Sequence, residues 1–416
     1  MARRSSFVKR VTVASLTMLA IGSPIFGSIH AQTAAANVVT VTPLSERTPA
    51  KSEPTSAVDL AKNARSAVLM DAATGKVLYQ KDGNEELPMA SITKIMTMLL
   101  ILEAVDSGKI KWTDQVKTSD YAASMGGSQI FLEPGESMSV RDMLKGIAVA
   151  SANDACVAMA EYLDGSEEAF VSRMNERAKQ LGMTDTHFSN CNGLPAKNHY
   201  SSAHDIAVMS RALLAHPEIT SFTSIYSDYL RKDSDRPLWL VNTNKLVRFY
   251  DGVDGLKTGY TQEAKYCLSA TAKRGDFRVI AVVMGEPKPT VRNAEVSSML
   301  NWAFSHYSSV LVYPAGQVVA QAKVSKGTKD TVPVVTQTSV GYVVQKGSKK
   351  AHECKIEIDK LRAPVKQGQR VGMLHLIVDG TTVEQVPLIA QTGVDRANFF
   401  QGLSKTVKKI VTFGQG

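Results

Sequence analysis

The stretch that most limits how this chain can fold runs from Met89 to Leu102. It reads Met-Ala-Ser-Ile-Thr-Lys-Ile-Met and continues through Met98-Leu99-Leu100-Ile101-Leu102, with no charge between Lys94 and Glu103 and with Pro88 just ahead. Apolar on every side, it predicts a helix that begins near Pro88 and is buried all round. Residues three apart share a helical face, so the Ser91 hydroxyl and the Lys94 amine should meet inside apolar surroundings. A hydroxyl becomes a useful nucleophile when a base takes its proton, and a lysine serves as that base once burial or a nearby cation lowers its pKa. Moving a lysine from about 10.4 to about 7.5 costs roughly 4 kcal/mol, which the surrounding fold must supply.

The S-x-x-K spacing means little alone. Ser6-Phe7-Val8-Lys9 has it too, in a segment with the layout of a secretory leader. An isolated pair of this kind is ordinarily a helix-start serine with a lysine on the next turn.

That leader carries Arg3, Arg4, Lys9 and Arg10, then an apolar run from Val11 to Gly22, then small residues from Ser28 to Ala31. The order predicts a signal peptide over residues 1–31. An uncleaved anchor would need about 20 apolar residues, more than this run offers. No cysteine ends the leader, against a lipoprotein. The formal charge of +9 includes four leader cations, so the exported chain holds 44 basic against 39 acidic residues. That excess is mild, and no basic block interleaved with aromatics suggests a nucleic-acid face. The four cysteines (Cys156, Cys191, Cys267, Cys354) are scattered without metal-ligand spacing and the eight histidines do not cluster. Neither metal nor organic cofactor is expected, and most of the cysteines should be small buried residues.

Residues 32–56 are rich in Ala, Thr, Ser and Pro and read as a linker. Ser66–Met70 and Lys76–Gln80 flank a turn and should pair as antiparallel strands. Residues 100–250 are mostly helical by apolar spacing. One helix runs from Val140 to about Val149, a break falls at Ala150-Ser151-Ala152-Asn153, and the next helix starts at Asp154 and stops near Gly165. A turn follows at Asn192–Pro195 and a helix from Ser202 to Leu214. Strands return at Gly255–Tyr260, Lys265–Ala272 and Phe277–Met284, and a helix from Val291 to Phe304 closes the unit. Strands at both ends with helices between predict an α+β domain over 57–306, an antiparallel sheet with an inserted helical lobe. Residues 91, 151 and 257 would then meet where lobe and sheet join.

Beyond Tyr307 short apolar runs (Val332–Val335, Val340–Tyr342, Cys354–Ile358, Leu376–Val378) predict a small all-β domain over 307–392. Within the terminal segment 393–416, Phe399, Phe400, Leu403, Val407, Ile410 and Val411 fall on one helical face and Lys405, Lys408 and Lys409 on the other. The segment predicts an amphipathic helix, either docked on its own protein or lying in a membrane interface; a basic helix at a free end favours the membrane.

Ser91-x-x-Lys94, Ser151-Ala152-Asn153 and Lys257-Thr258-Gly259 follow one another at intervals of 60 and 106 residues. This ordered trio matches the S-x-x-K, S-x-N and K-T-G motifs of penicillin-binding proteins and serine β-lactamases. The chain resembles the low-molecular-mass penicillin-binding proteins that are D-alanyl-D-alanine carboxypeptidases. Gly193-Leu194-Pro195, Asp254 to Gly259, Val283-Met284-Gly285 and Arg292 extend the resemblance, which covers most of the chain. One departure is Ala152 where the family often has Gly, tolerable if the backbone there avoids positive φ.

The resemblance implies a β-lactamase/transpeptidase-like fold and a serine peptidase that removes the terminal D-alanine of peptidoglycan pentapeptides. Lys94 would deprotonate Ser91 for attack on the carbonyl between two D-alanines. Backbone N–H groups of Ser91 and Tyr260 would form the oxyanion hole. Ser151 and Lys257 would relay a proton to the leaving amine, with Lys257 also keeping Lys94 partly neutral. Asn153 would hold the substrate backbone, and Thr258, beside Gly259, would bind the terminal carboxylate together with Arg292. β-Lactams should acylate Ser91, and the protein should sit on the outer face of the cytoplasmic membrane. A serine β-lactamase would need a deacylating Glu in an E-x-x-L-N setting, and no such run lies between the second and third motifs. An inactive wall-binding protein is the reading from another class, and the intact trio argues against it.

Overall fold

A computed structural model describes residues 58–398. The leader, the linker over 32–56, residue 57 and the segment 399–416, with the amphipathic helix expected there, lie outside the described residues.

Strands β1 (Ser66–Asp71) and β2 (Val77–Lys81) pair antiparallel, as their flanking of a Thr74-Gly75 turn requires. Three further strands come from far along the chain: β3 (Val253–Thr261), β4 (Lys265–Arg274) and β5 (Phe277–Glu286). They join the first two in one antiparallel sheet of order β2-β1-β5-β4-β3, with Ser66 opposite Met284 and Lys257 opposite Ser269. Alternation along β5 assigns its two faces. Val279, Ala281 and Val283 pack with Met299, Leu300 and Ala303 of the closing helix, while Ile280, Val282 and Met284 pack with the helical lobe. β3 lies at the sheet edge beside the lobe.

The lobe is built around α1 (Lys94–Asp106), in which every residue from Lys94 to Leu102 is buried. It is a core helix rather than an amphipathic one, as its composition demands. The helix does not begin at Met89: Ala90–Thr93 form a 3₁₀ turn and α-geometry starts at Lys94. In a 3₁₀ turn residues i and i+3 eclipse one another, which aligns Ser91 with Lys94 more tightly than an α-helix would. The helix expected over Val140–Val149 is α-helical only to Lys145 (α2, Val140–Lys145). Gly146–Ala150 then widen into a π turn that ends at Ser151 with φ +65°. α3 (Asn153–Asp164) follows, stopped by Gly165 at φ +84°. α4 (Glu167–Gln180) and α5 (Ala203–Leu214) are capped by Ser166 and Ser202, whose hydroxyls accept from the third residue on. The lobe also holds two short ladders, 115–117 with 137–139 and 227–230 with 238–241, that apolar spacing does not reveal.

α6 (Pro289–His306) covers the outer face of the sheet and leads directly into β6 (Tyr307–Tyr313). Residues from there on are all β. β6 pairs with Val340–Gln345, and six more strands form a sheet whose core includes Val332, Val334, Leu374, Leu376 and Leu388. Every strand run read from the sequence beyond Tyr307 is a strand here.

Candidate active site

Ser91 lies in the 3₁₀ turn at the head of α1, between the sheet edge and the lobe. Two glycines let neighbouring chain approach that turn. A Cβ at Gly193, whose φ is +89°, would overlap the Ala90 carbonyl oxygen, and one at Gly259 would come within 2.8 Å of the Met89 oxygen. Only glycine lets the 192–195 turn and strand β3 close on both flanks of the serine.

Lys94 Nζ lies 3.0 Å from Ser91 Oγ and 2.6 Å from Asn153 Oδ1, and it also bonds the Asn192 carbonyl. Its side chain is 0 % exposed, and burial holds its pKa below the usual lysine value. A neutral amine has two N–H groups and one lone pair. With Asn153 Oδ1 and the Asn192 carbonyl accepting the two N–H groups, the lone pair is left for the Ser91 proton.

Lys257, 1 % exposed, donates to the Thr258 carbonyl at 3.0 Å. Its pKa falls well below the usual value, first through burial and then through repulsion by Lys94 and Arg292. Burial lowers both lysines, and repulsion between two such close cations disfavours charging both at once.

Asn153 starts α3. Its Oδ1 accepts from Lys94 and its Nδ2 donates 2.7 Å to the Gly126 carbonyl, so both ends of the amide hold the protein together. Ser151 is left-handed at the end of the π turn, just ahead of Ala152 and Asn153, and 3 % exposed. No hydrogen bond joins its hydroxyl to either lysine among the described residues. Ala152 has φ −61°, so the methyl in place of the family's glycine is unstrained. Thr258 Oγ1 donates to Thr243 Oγ1 at 2.7 Å. Tyr260 is half-exposed, its ring 4.4 Å from that of Tyr266. Arg292 is buried rather than a solvated helix-end charge, and two of its nitrogens reach Asn293 Oδ1 at 3.1 and 3.0 Å.

A second layer of contacts escaped the sequence reading. Ser189 N–H donates to His199 Nδ1 at 2.9 Å, which leaves the ring proton on Nε2, 2.7 Å from Thr93 Oγ1. The Thr93 hydroxyl in turn donates 2.8 Å to the Ala90 carbonyl. This chain braces the residue before the serine, which itself has φ +48°. Burial drives the His199 pKa down to about 4, so the ring is neutral and keeps this bonding pattern. The Asp154 carboxylate likewise collects the N–H groups of Ile130 and Leu132 and so fixes the loop that holds Asn153. Neither His199 nor Asp154 carries a motif signal. Cys156, Cys191 and Cys267 are buried free thiols, with burial pushing Cys156 up to about 12.

A sheet assembled from both ends of the domain, a buried S-x-x-K turn at its edge and a second lysine on the edge strand together define a serine acyl hydrolase. Residues 50–288 match the D-alanyl-D-alanine carboxypeptidase family and residues 307–396 match the C-terminal domain of penicillin-binding protein 5. The chain is 52 % identical over 352 residues to the D-alanyl-D-alanine carboxypeptidase DacF of Bacillus subtilis, covering 84 % of this chain and 90 % of that one. Penicillin-binding protein 5 of Haemophilus influenzae superposes with a TM-score of 0.63 at 31 % identity, over 80 % of this chain and 98 % of that one. Penicillin-binding protein D2 of Listeria monocytogenes in its ampicillin-bound form gives 0.53 at 32 % identity, over 58 % and 98 %. The chain belongs to the D-alanyl-D-alanine carboxypeptidase family.

Proposed function

We propose that the protein releases the terminal D-alanine of peptidoglycan pentapeptides through an acyl-enzyme on Ser91. The observation that carries this reading is the Lys94 amine, buried and 3.0 Å from the Ser91 hydroxyl, with two other acceptors in place for its N–H groups. Lys94 takes the Ser91 proton as the oxygen attacks the carbonyl between the D-alanines. The N–H groups of Ser91 and Tyr260 stabilise the oxyanion, an effect worth about 10²–10³ in rate per donor. The proton passes through Ser151 and Lys257 to the departing amine, and water then hydrolyses the ester. Asn153 orients Lys94 as well as the substrate backbone. Thr258, next to Gly259, and Arg292 hold the terminal carboxylate, which makes the enzyme an exopeptidase. β-Lactams enter by the same route and stay as the Ser91 ester, because their leaving group remains tethered.

Export by residues 1–31, a linker at 32–56, a catalytic domain over 57–306, a β domain over 307–392 and a membrane-surface helix within 393–416 complete the proposal. Among the described residues no helix is long and apolar enough to cross a membrane; the attachment proposed is that of the terminal helix to the membrane surface. Mass spectrometry with a D-Ala-D-Ala pentapeptide and with penicillin tests the chemistry: D-alanine is released, and the penicillin adduct maps to Ser91. Equal labelling of Ser91→Ala would refute it, and rapid penicillin turnover would favour a β-lactamase. Deletion of residues 395–416 should release active protein from membranes; unchanged sedimentation would refute the anchor.

A further inference from the structure

Arg292 interacts through charge with groups of both signs. Its guanidinium repels the buried Lys257 amine and is drawn to the Glu286 carboxyl at the end of β5. Glu295 lies three residues further along α6, on the same helical face as Arg292. All three side chains are buried, and the reaction uses neither carboxyl. Glu286 is opposite Tyr266 in the ladder of β4 and β5, and the next residue of β4, Cys267, is opposite Gly259 of the edge strand. The acidic pair is therefore level with the site, two strands in from the edge. The guanidinium hydrogen bonds go to Asn293 Oδ1 rather than to either carboxyl, so the pair acts on Arg292 through space.

The other charged and titratable groups around Glu286 are engaged elsewhere. Lys81 of β2 donates to the Ala61 and Lys62 carbonyls. Arg65, whose stem lies against Gly285, pairs with Glu85 at 2.5 Å. The Tyr266 ring lies against Tyr260, and burial pushes the Cys267 thiol up to about 11. Asn63 gives two N–H groups to a single Glu295 oxygen. The second Glu295 oxygen and both Glu286 oxygens meet no N–H or hydroxyl donor. Two carboxyls so placed hold one proton between them and carry one negative charge; when that proton leaves they carry two.

We propose that Glu286 and Glu295 are positioning residues for the reaction: the proton they share sets the negative charge beside Arg292, and through it the hold on the substrate's terminal carboxylate. With the proton in place, one negative charge faces the guanidinium. Without it a second charge offsets the attraction that Arg292 exerts on the carboxylate. Carboxylate recognition should then weaken as pH rises through about 8, where Glu286 gives up its proton.

This role presupposes the carboxylate site at Arg292, and the test keeps the two apart. Benzylpenicillin carries its carboxylate as a charge, and its methyl ester does not. The ratio of their acylation rates is measured on each preparation between about pH 6.5 and 9.5, so inactive protein and the titration of the Ser91 base cancel. The wild-type ratio should fall relative to that of Glu286→Gln by about threefold to tenfold, the effect of one unit charge on the order of 15 Å away at an effective dielectric near 20. Glu295→Gln removes the neighbouring charge and offers Glu286 an N–H, so there the fall should move down by about one pH unit. A role confined to packing would move neither. Wild-type and Glu286→Gln ratios that run parallel, or a fall in Glu295→Gln at the wild-type pH, would overturn the role of the pair. A wild-type ratio of one at every pH would instead overturn the carboxylate site itself.

Discussion

Glu286, at the end of β5, is wholly buried, and neither of its oxygens meets an N–H or hydroxyl donor. It faces Glu295 of α6, whose own carboxylate accepts from Asn63 N–H at 2.9 Å and from Asn63 Nδ2 at 2.5 Å. Two carboxylates can bond each other only through a shared proton. Burial, and then the Glu295 contact, raise the Glu286 pKa to about 8, against the weaker pull of Lys81 and Arg292. Glu295 shifts the other way and already accepts twice from Asn63, so the pair holds one proton between its two carboxyls. An acid whose folded pKa is raised stabilises the fold fully below its unfolded value near 4.5. That stability is lost as pH climbs toward the folded value, here at one proton, or about 1.4 kcal/mol, per pH unit. Between pH 5.5 and 7.5 the loss is therefore roughly 2–3 kcal/mol. Glu286→Gln keeps the shape, offers an N–H to Glu295 and removes the titration. Urea unfolding of both proteins at pH 5.5, 6.5, 7.5 and 8.5 measures the difference directly. The substituted protein should gain on wild type by about 1.4 kcal/mol per unit up to pH 8 and then run parallel. Parallel curves from pH 5.5 onward would mean that Glu286 is already ionised in the fold, and would refute a proton shared with Glu295.

His199 titrates with the opposite sign. Its folded pKa of about 4 lies below the ordinary 6.5, so the stability it contributes is present above pH 6.5 and lost as pH falls toward 4, a slope that His199→Phe should abolish in the same unfolding series. The same substitution unties Thr93 from its ring partner, and penicillin acylation should slow by about tenfold, the equivalent of one buried hydrogen bond. Gly193→Ala forces a methyl onto the Ala90 carbonyl at positive φ, so soluble protein with wild-type acylation would contradict the close approach of the two turns. Asp154→Ala leaves the Ile130 and Leu132 N–H groups buried without acceptors; a loss of about 2 kcal/mol or more is expected in urea unfolding.

The sheet and the central helix could be read from the chain because their residues repeat a period that packing then uses. Val279 to Met284 alternate between two cores, and α1 is apolar on all sides. The π turn could not be read. Ile147, Ala148 and Val149 continue an α-helical apolar pattern, and only the left-handed Ser151 after them reveals the extra residue in the turn. The Lys94 environment was half legible for a similar reason. Asn153 belongs to a motif, but the Asn192 acceptor is a backbone carbonyl, to which side-chain identity gives no clue. The brace through His199 and Thr93 joins residues 106 apart in the chain, and neither residue type announces a partner.

The two buried lysines decide how the acidic limb of the reaction should behave. If Lys257 were charged and repelled Lys94, removing it would raise the Lys94 pKa and push the acidic limb of acylation to higher pH. Here burial is the first cause for both amines, lowering Lys94 and Lys257 alike, and the like-charge repulsion belongs to the pair. The pair then sheds its protons in steps that belong to neither lysine alone, with burial setting most of the Lys94 shift. Lys257→Met should accordingly lower the plateau of the penicillin acylation rate, since the proton relay is cut, while leaving the midpoint of the acidic limb where it was. An upward displacement of that midpoint by a full pH unit would show that the charge resides on Lys257 and that like-charge repulsion, rather than burial, makes Lys94 a base.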